Sequence, residues 1–361
     1  MIESNLFVDK SLKISKEEIL QDYYLINESR HLSLIGRKEV FMGRAKFGVF
    51  GDGKELPQIA MSKFFNNGDF RSGYYRDQTF MMAIDQLNAN QFFAQLYAHT
   101  DINFDPHSGG RQMNCHFGTR MLNSSGDWKT LTDMKNSASD VSCVSGQMPR
   151  IVGLGYASKL YRENKDLGQM QNFSINGNEV IFGTIGDAST SEGHFWESIN
   201  ACGVLQIPVV MSIWDDGYGI SVPSEYHTTR NDLSKVLSGF QRSSKKENGF
   251  ELFTVKAWDY EGLLKAYSKA VKVAREDHVP SIIHVKDVTQ PQGHTTSGSH
   301  ERYKSKERLE WEKDFCCIKK MREWILENKI SDAKSLDNLE NKAEEKAKNI
   351  RDKSWKDYRK N

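Results

Sequence analysis

Residues 179–221 read EVIFGTIGDASTSEGHFWESINACGVLQIPVVMSIWDDGYGIS, and this stretch decides the fold. Val180 to Ile185 is a β-branched and aromatic run of strand length that stops at Gly186-Asp187. Small polar residues follow from Ala188 to Ser191, after which Phe195, Ile199, Cys202 and Leu205 recur on one helical face. Pro208 ends that helix, and a second buried strand runs from Val209 to Trp214 before Asp215-Asp216-Gly217. The unit is strand–helix–strand, with acidic residues at the carboxyl ends of both strands. In an open parallel sheet those ends are where ligands sit. Adjacent parallel strands would bring Asp187 and Asp216 together despite their distance in sequence. Two carboxylates, a carbonyl from the following turn and the free N–H groups of a helix starting near Glu192 make a site for Mg²⁺ with a phosphate. Each Asp-Gly alone would be a turn cap. The pair, with this unit between them, points to the ion.

The same alternation continues downstream. Residues 251–256 read as a strand, 260–277 as a helix and Ser281 to Val285 as another buried strand. The expected fold is therefore α/β, a doubly wound, mostly parallel sheet flanked by helices. Ser15 and Glu18 cap a first helix over residues 15–36. Further helices are expected over 54–66, 77–98 and 306–328, with residues 101–126 loop-like. Gly51-Asp52-Gly53 mimics the Gly-Asp of the central stretch, but no strand with a polar end follows it at the required distance. It reads as a turn before the next helix. One large unit over residues 1–330, with an N-terminal helical extension, precedes a charged C-terminal helix or linker over 331–361.

Composition narrows the class. A hydrophobic content of 38% suffices for a core, while a mean hydropathy of −0.62 makes the surface very polar. A net charge of +1 argues against a nucleic-acid surface. No apolar run approaches the ~18 residues that span a bilayer, and the first residues lack a signal-peptide pattern. Five cysteines without regular spacing fit a reduced, cytoplasmic setting.

The spacing GD-x₅-G-x₃-E-x₂-N-x₇-P-x₆-DD-x-Y resembles the thiamine-diphosphate signature. The chain is similar to the alpha subunit of the decarboxylating component of 2-oxo-acid dehydrogenase complexes. Gly186, Asp187, Gly193, Glu197, Asn200, Pro208 and Tyr218 fall in register. The resemblance implies the thiamine-diphosphate-binding fold, with Mg²⁺ held by the Asp187 carboxylate, the side chain at 216 and the Tyr218 carbonyl. Gly186, Ala188 and Ser189 belong to the same cofactor-binding stretch. The family usually carries Asn-Asn where this chain has Asp215-Asp216, so Asp216 adds negative charge beside a diphosphate. Asn at 216 should be tolerated unless a nearby cation already balances the aspartate.

Other segments extend the resemblance over roughly residues 70–330. Tyr75-Arg76 matches the family pair that reaches the diphosphate, and a planar, always charged guanidinium suits a phosphate. GGRQMNCHFG, residues 109–118, resembles the branched-chain members more than the pyruvate members, and His116 is expected to order that loop. In residues 142–149, of the form S-x₄-Q-x-P, Val144 stands where the family props the bent cofactor. His284 reads as a core histidine. Residues 289–305, TQPQGHTTSGSHERYKS, should be a mobile loop that closes over ligand and takes its contacts from ligand and partner. GHTTSGSHERYKS resembles the family's histidine loop, which makes His294 the catalytic proton-transfer group over the cofactor's thiazolium, with Tyr303 near the usual tyrosine. On this reading His294 is the only titratable group within reach of the chemistry.

The resemblance implies oxidative decarboxylation of a 2-oxo acid, of branched-chain type, with acyl transfer to a lipoyl group on a separate acyltransferase core. In the family a glutamate that activates the cofactor belongs to a beta-type domain. No such domain is read here, so a beta-type subunit, or the other half of a fused chain, is the expected partner. Two rivals stand beside this: another thiamine-diphosphate enzyme of transketolase type, and a non-catalytic assembly subunit of the same fold. No nucleic-acid or membrane partner is expected.

Overall fold

The computed structural model of the chain describes residues 6–9, 12–296 and 298–360. A hairpin of β1 (Leu6–Asp9) and β2 (Leu12–Ile14) precedes the first helix, α1 (Lys16–Phe41). Ser15 and Glu18 form the reciprocal cap, with the Glu18 N–H 3.1 Å from Ser15 Oγ and the Ser15 N–H 2.9 Å from Glu18 Oε2. The helix outruns its expected end at residue 36 and stops before Gly43, which takes a φ of +73°.

Next come α2 (Glu55–Ser62), β3 (Phe70–Ser72), α3 (Gln78–Ala83) and α4 (Ala89–Leu96). The single helix expected over 77–98 is broken. Asp85 adopts a positive φ, and Asn88 opens a new capping box with Gln91. The central unit follows β4 (Asn136–Ser137) and α5 (Met148–Glu163) as β5 (Ile181–Gly186), α6 (Gly193–Leu205) and β6 (Val209–Trp214). A small hairpin, β7 (Tyr218–Gly219) and β8 (Val222–Pro223), leads to α7 (Leu233–Leu237). Then β9 (Glu251–Lys256), α8 (Tyr260–Asp277) and β10 (Ser281–Lys286) complete the sheet.

Three helices close the chain: α9 (Lys306–Asp314), α10 (Cys317–Glu327) and α11 (Ala333–Tyr358). The helix expected over 306–328 is interrupted at Phe315-Cys316, which turns Cys317 into the core beside Glu55. The charged α11 lies along α1. It buries Leu336, Ala343 and Ala347 and pairs Lys346 with Glu28 and Arg351 with Glu39, each at 2.8 Å.

The sheet runs β4-β3-β5-β6-β10-β9 with every pairing parallel. Both faces are covered, which is why β5 and β6 read as nearly unbroken apolar runs. Phe182, Val210 and Trp214 face one apolar layer with α1, α2 and α8, while Ile181, Ile185, Met211 and Ile213 face the other with α5 and α6. Strands β3 and β4 escaped the sequence reading because they are short and polar. Arg71 in β3 is completely buried, with Nε 2.8 Å from Asp77 Oδ2 and Nη2 3.0 Å from Asp140 Oδ2. Patterning rules place such charges on the surface.

The carboxyl ends of β3, β5, β6 and β10 therefore meet at one edge. Backbone bonds knit that edge: the Asp187 N–H donates to Trp214 O at 3.1 Å, and the Asp215 N–H to Val285 O at 2.9 Å. Among the described residues no helix is long and apolar enough to cross a membrane.

Candidate active site

A cavity of about 430 Å³ opens at this edge. The ten positions singled out from the sequence, Tyr75, Arg76, Val144, Gly186, Asp187, Ala188, Ser189, Asp216, Tyr218 and His294, all line it. They arrive from four strand ends and the segment before α5, which is why no one stretch of sequence displays them together.

The two aspartates differ in what surrounds them. Asp187 is buried, and its Oδ2 accepts no hydrogen bond among the described residues; His227 Nε2 stands 4.0 Å away. Burial first, then Asp216 and Asp215, push its carboxyl well above the usual carboxylate range. A buried oxygen without a donor is a place for a cation. Asp216 is already engaged. Its Oδ2 lies 3.1 Å from His294 Nε2 and 3.5 Å from Lys54 Nζ, and its Oδ1 accepts the Tyr218 N–H at 3.2 Å. Burial alone would raise this carboxyl, but His294 and then Lys54 outweigh it and hold it well below its ordinary range. The donor set thus fits a divalent cation at Asp187, whereas Asp216 would have to share its oxygens. Among the described residues no three His, Cys, Asp or Glu side chains cluster as a complete metal cage.

Asp215 turns away from the cavity. Its Oδ2 lies 2.7 Å from His284 Nε2, and Ser234 Oγ lies 2.6 Å from the other ring nitrogen, so His284 is a satisfied core histidine. Gly217, at φ +77°, lets the chain reverse so that the Tyr218 N–H reaches back to Asp216. The anion-facing N–H groups differ from expectation. A 3₁₀ turn, Ala188–Ser191, follows β5, and α6 begins only at Gly193. Ala188 and Ser189 line the cavity, while Glu192 and Gly193 are exposed.

Arg76 is buried and donates from Nη1 to Phe50 O and from Nη2 to His294 O, each at 2.7 Å. It forms no ion pair with a carboxylate among the described residues, so it is no surface salt bridge. A buried guanidinium whose charge is unpaired calls for an anionic ligand.

The loop over 289–305 is held more firmly than expected; Ser297 within it lies outside the described residues. Arg76 holds His294 O, Arg37 Nη1 reaches Thr295 O at 3.2 Å, and the Gln292 N–H donates to Asp52 Oδ2 at 3.0 Å. Lys304 and Glu312 pair at 2.6 Å in the interior, and Arg308 Nη2 donates to Asp216 O at 2.8 Å. The chain itself thus supplies contacts to this loop. Gly51-Asp52-Gly53 is a turn, as read, and it forms the wall under this loop. A Cβ at Gly53 would stand 1.7 Å from Thr289 O.

His294 is also not alone. Asp216 lies 3.1 Å from it, Asp187 lines the same cavity, and His116 lines it too, stacked on Tyr75 at 6.0 Å, with Nε2 3.0 Å from Ser142 Oγ. Tyr303 packs on Tyr218 at 5.9 Å, and burial with Asp216 raises its hydroxyl to about 12. Sequence reasoning missed Lys54 altogether. It is 1% exposed, caps the start of α2 and donates to Gln290 Oε1 at 2.6 Å. Burial lowers its pKa and Asp216 opposes that fall. A lysine after a Gly-Asp-Gly turn carries no signal of its own.

The sequence matches the dehydrogenase E1 component family over residues 30–359. It is 24% identical over 315 residues to the human 2-oxoisovalerate dehydrogenase subunit alpha, mitochondrial, covering 87% of this chain and 61% of that one. It is 26% identical over 243 residues to the 2-oxoisovalerate dehydrogenase subunit alpha of Bacillus subtilis (strain 168), covering 67% and 62%. Against the pyruvate dehydrogenase E1 component subunit alpha of Rickettsia bellii it is 27% identical over 203 residues, covering 56% and 55%. The chain spans about three-fifths of the length of the first two of these relatives. Membership implies thiamine diphosphate as the cofactor. The family match begins inside α1 and ends just past α11, and the chain belongs to the dehydrogenase E1 component family.

Proposed function

We propose that this chain is the diphosphate-holding alpha half of a 2-oxo-acid dehydrogenase, acting on a branched-chain 2-oxo acid and passing the acyl group to a lipoyl arm of an acyltransferase core. The observation that carries this is the pairing of an unpaired buried cation, Arg76, with an unpartnered carboxylate oxygen, Asp187 Oδ2, on one cavity. Such a pair matches a phosphate bridged by Mg²⁺. Thiamine diphosphate, when bound, supplies the electron sink for loss of CO₂. In this reading Arg76 and the N–H groups at Ala188 and Ser189 hold the diphosphate, and Asp187 takes the metal, with Asp216 and the Tyr218 carbonyl as further ligands. Val144, 46% exposed at the rim, props the cofactor, and His294 moves the proton. A beta-type subunit or domain covers the open side. Two of the three named relatives are 2-oxoisovalerate dehydrogenase subunits, which supports the branched-chain choice, while the third is a pyruvate dehydrogenase subunit. The five free thiols fit a reducing, cytoplasmic setting.

The test is turnover of the full-length protein with its beta-type partner, using lipoylated acceptor domain and a panel of branched-chain 2-oxo acids and pyruvate. Mg²⁺- and thiamine-diphosphate-dependent decarboxylation favouring the branched acids is expected. Turnover without the cofactor, or none on any 2-oxo acid, rules the reading out.

A further inference from the structure

Lys54 has no part in the reading above, yet it is among the most deeply buried charges of the chain. Its ammonium enters from the N-terminus of α2 and, among the described residues, reaches two acceptors, Gln290 Oε1 at 2.6 Å and Asp216 Oδ2 at 3.5 Å. Gln290 is itself fully buried and leaves its amide Nε2 without a partner among the described residues, so its carbonyl is turned to the lysine. Lys54 does not line the cavity. It stands beside Asp216, whose Oδ2 it shares with His294.

The consequence is a matter of charge. Asp187 and Asp216 present two carboxylates to the cavity, against the single guanidinium of Arg76. With both carboxylates counted as ionised and before any metal ion binds, that surface is formally −1 without Lys54 and zero with it, so Lys54 removes one unit of charge that opposes a diphosphate. We propose that Lys54 is a charge-setting residue of the anion site, whose buried ammonium beside Asp216 offsets that carboxylate and lets it face a bound diphosphate. What the pair faces rests on the thiamine-diphosphate reading; the pairing itself does not. Lys54 acts through Asp216 and touches no reacting atom.

A double-mutant cycle in the full-length protein tests this, with Lys54→Met, Asp216→Asn and the two combined. Without ligand, each single change removes one member of a buried ion pair and should lower the thermal midpoint by about 5 °C, while the double variant returns to within about 2 °C of wild type. With Mg²⁺ present, Lys54→Met should weaken thiamine diphosphate binding by about tenfold or more, and adding Asp216→Asn should restore it to within about threefold. Additive effects on the midpoint would overturn the pairing. Non-additive midpoints with no recovery of affinity would overturn the charge-setting role. If wild type shows no ligand-dependent shift, the cofactor reading fails while the ligand-free cycle still decides the pair. Single variants that do not fold support the proposal when the double variant does, and contradict it when the double variant fails as well.

Discussion

His294 Nε2 stands 3.1 Å from Asp216 Oδ2, while its own backbone carbonyl accepts from Arg76 at 2.7 Å. The loop histidine is thus fixed at both ends by residues of the cofactor cavity. An imidazole oriented by a carboxylate is suited to proton transfer near neutral pH.

His294→Ala should therefore reduce lipoyl-dependent turnover by around 10²-fold, the usual scale for a positioned acid–base group. Asp216 keeps Lys54 as its counter-ion, so cofactor affinity should change little. Steady-state rates beside calorimetric titration separate the two quantities. Wild-type turnover in the variant would make the histidine a bystander.

Asp187 makes an opposite pair of demands. Its Oδ2 is buried without a donor, and the carboxyl is disfavoured by burial and by two neighbouring aspartates. Asp187→Asn should leave the ligand-free protein as stable as wild type or more so, because burial and two neighbouring aspartates disfavour the ionised carboxyl more than the Ala188 N–H and Lys54 support it. The same change should abolish the stabilisation that Mg²⁺ with thiamine diphosphate gives. Thermal unfolding with and without the pair of ligands reads both effects. A retained ligand shift would remove Asp187 from the metal.

Much of this site is visible in the primary structure, for a physical reason. Asp187 and Asp216 end apolar strands, and the contrast of a β-branched run stopping at an acid survives in one dimension. Tyr75, Arg76 and His294 were found through motif resemblance and not through periodicity. Lys54 has no such signal, because its role depends on the turn before α2 meeting the segments that follow β6 and β10, a juxtaposition with no local trace. Strands β3 and β4 were lost for a related reason: Arg71, Ser72, Asn136 and Ser137 are polar residues whose burial is compensated by partners distant in sequence.

The loop that carries His294 illustrates the same limit. Its composition of Gly, Ser, Thr and His suggested mobility, but Arg37, Asp52 and Arg76 hold it. Limited proteolysis of the ligand-free protein should spare residues 289–305, and Arg76→Ala should expose them by removing the grip on His294 O. An Arg76→Lys variant keeps the charge but not the two-pronged geometry, and should also loosen the loop. Rapid cleavage in the wild-type protein would show that ligand or partner contacts are needed after all.

The last expectation concerns stability and pH. Asp140 is fully buried, accepts the Phe117 N–H at 2.9 Å and pairs with Arg71, which it shares with Asp77. Burial raises its carboxyl from 3.8 to about 6, Arg71 opposes that rise, and Asp77 adds to it. Between about pH 4 and 6 the folded chain holds this proton while the unfolded chain has released it. The contribution of Asp140 is therefore fully present below pH 4 and is lost as pH rises through 6, amounting to about 3 kcal/mol. Asp140→Asn should remove that slope. Its carbonyl can accept from Phe117 and Arg71 as Oδ2 does, while its amide takes the position of Oδ1, which has no partner among the described residues. Denaturant unfolding of both proteins from pH 4 to 7 should show the difference in stability moving toward the variant as pH rises. Parallel curves would mean that Arg71 holds Asp140 ionised throughout the range.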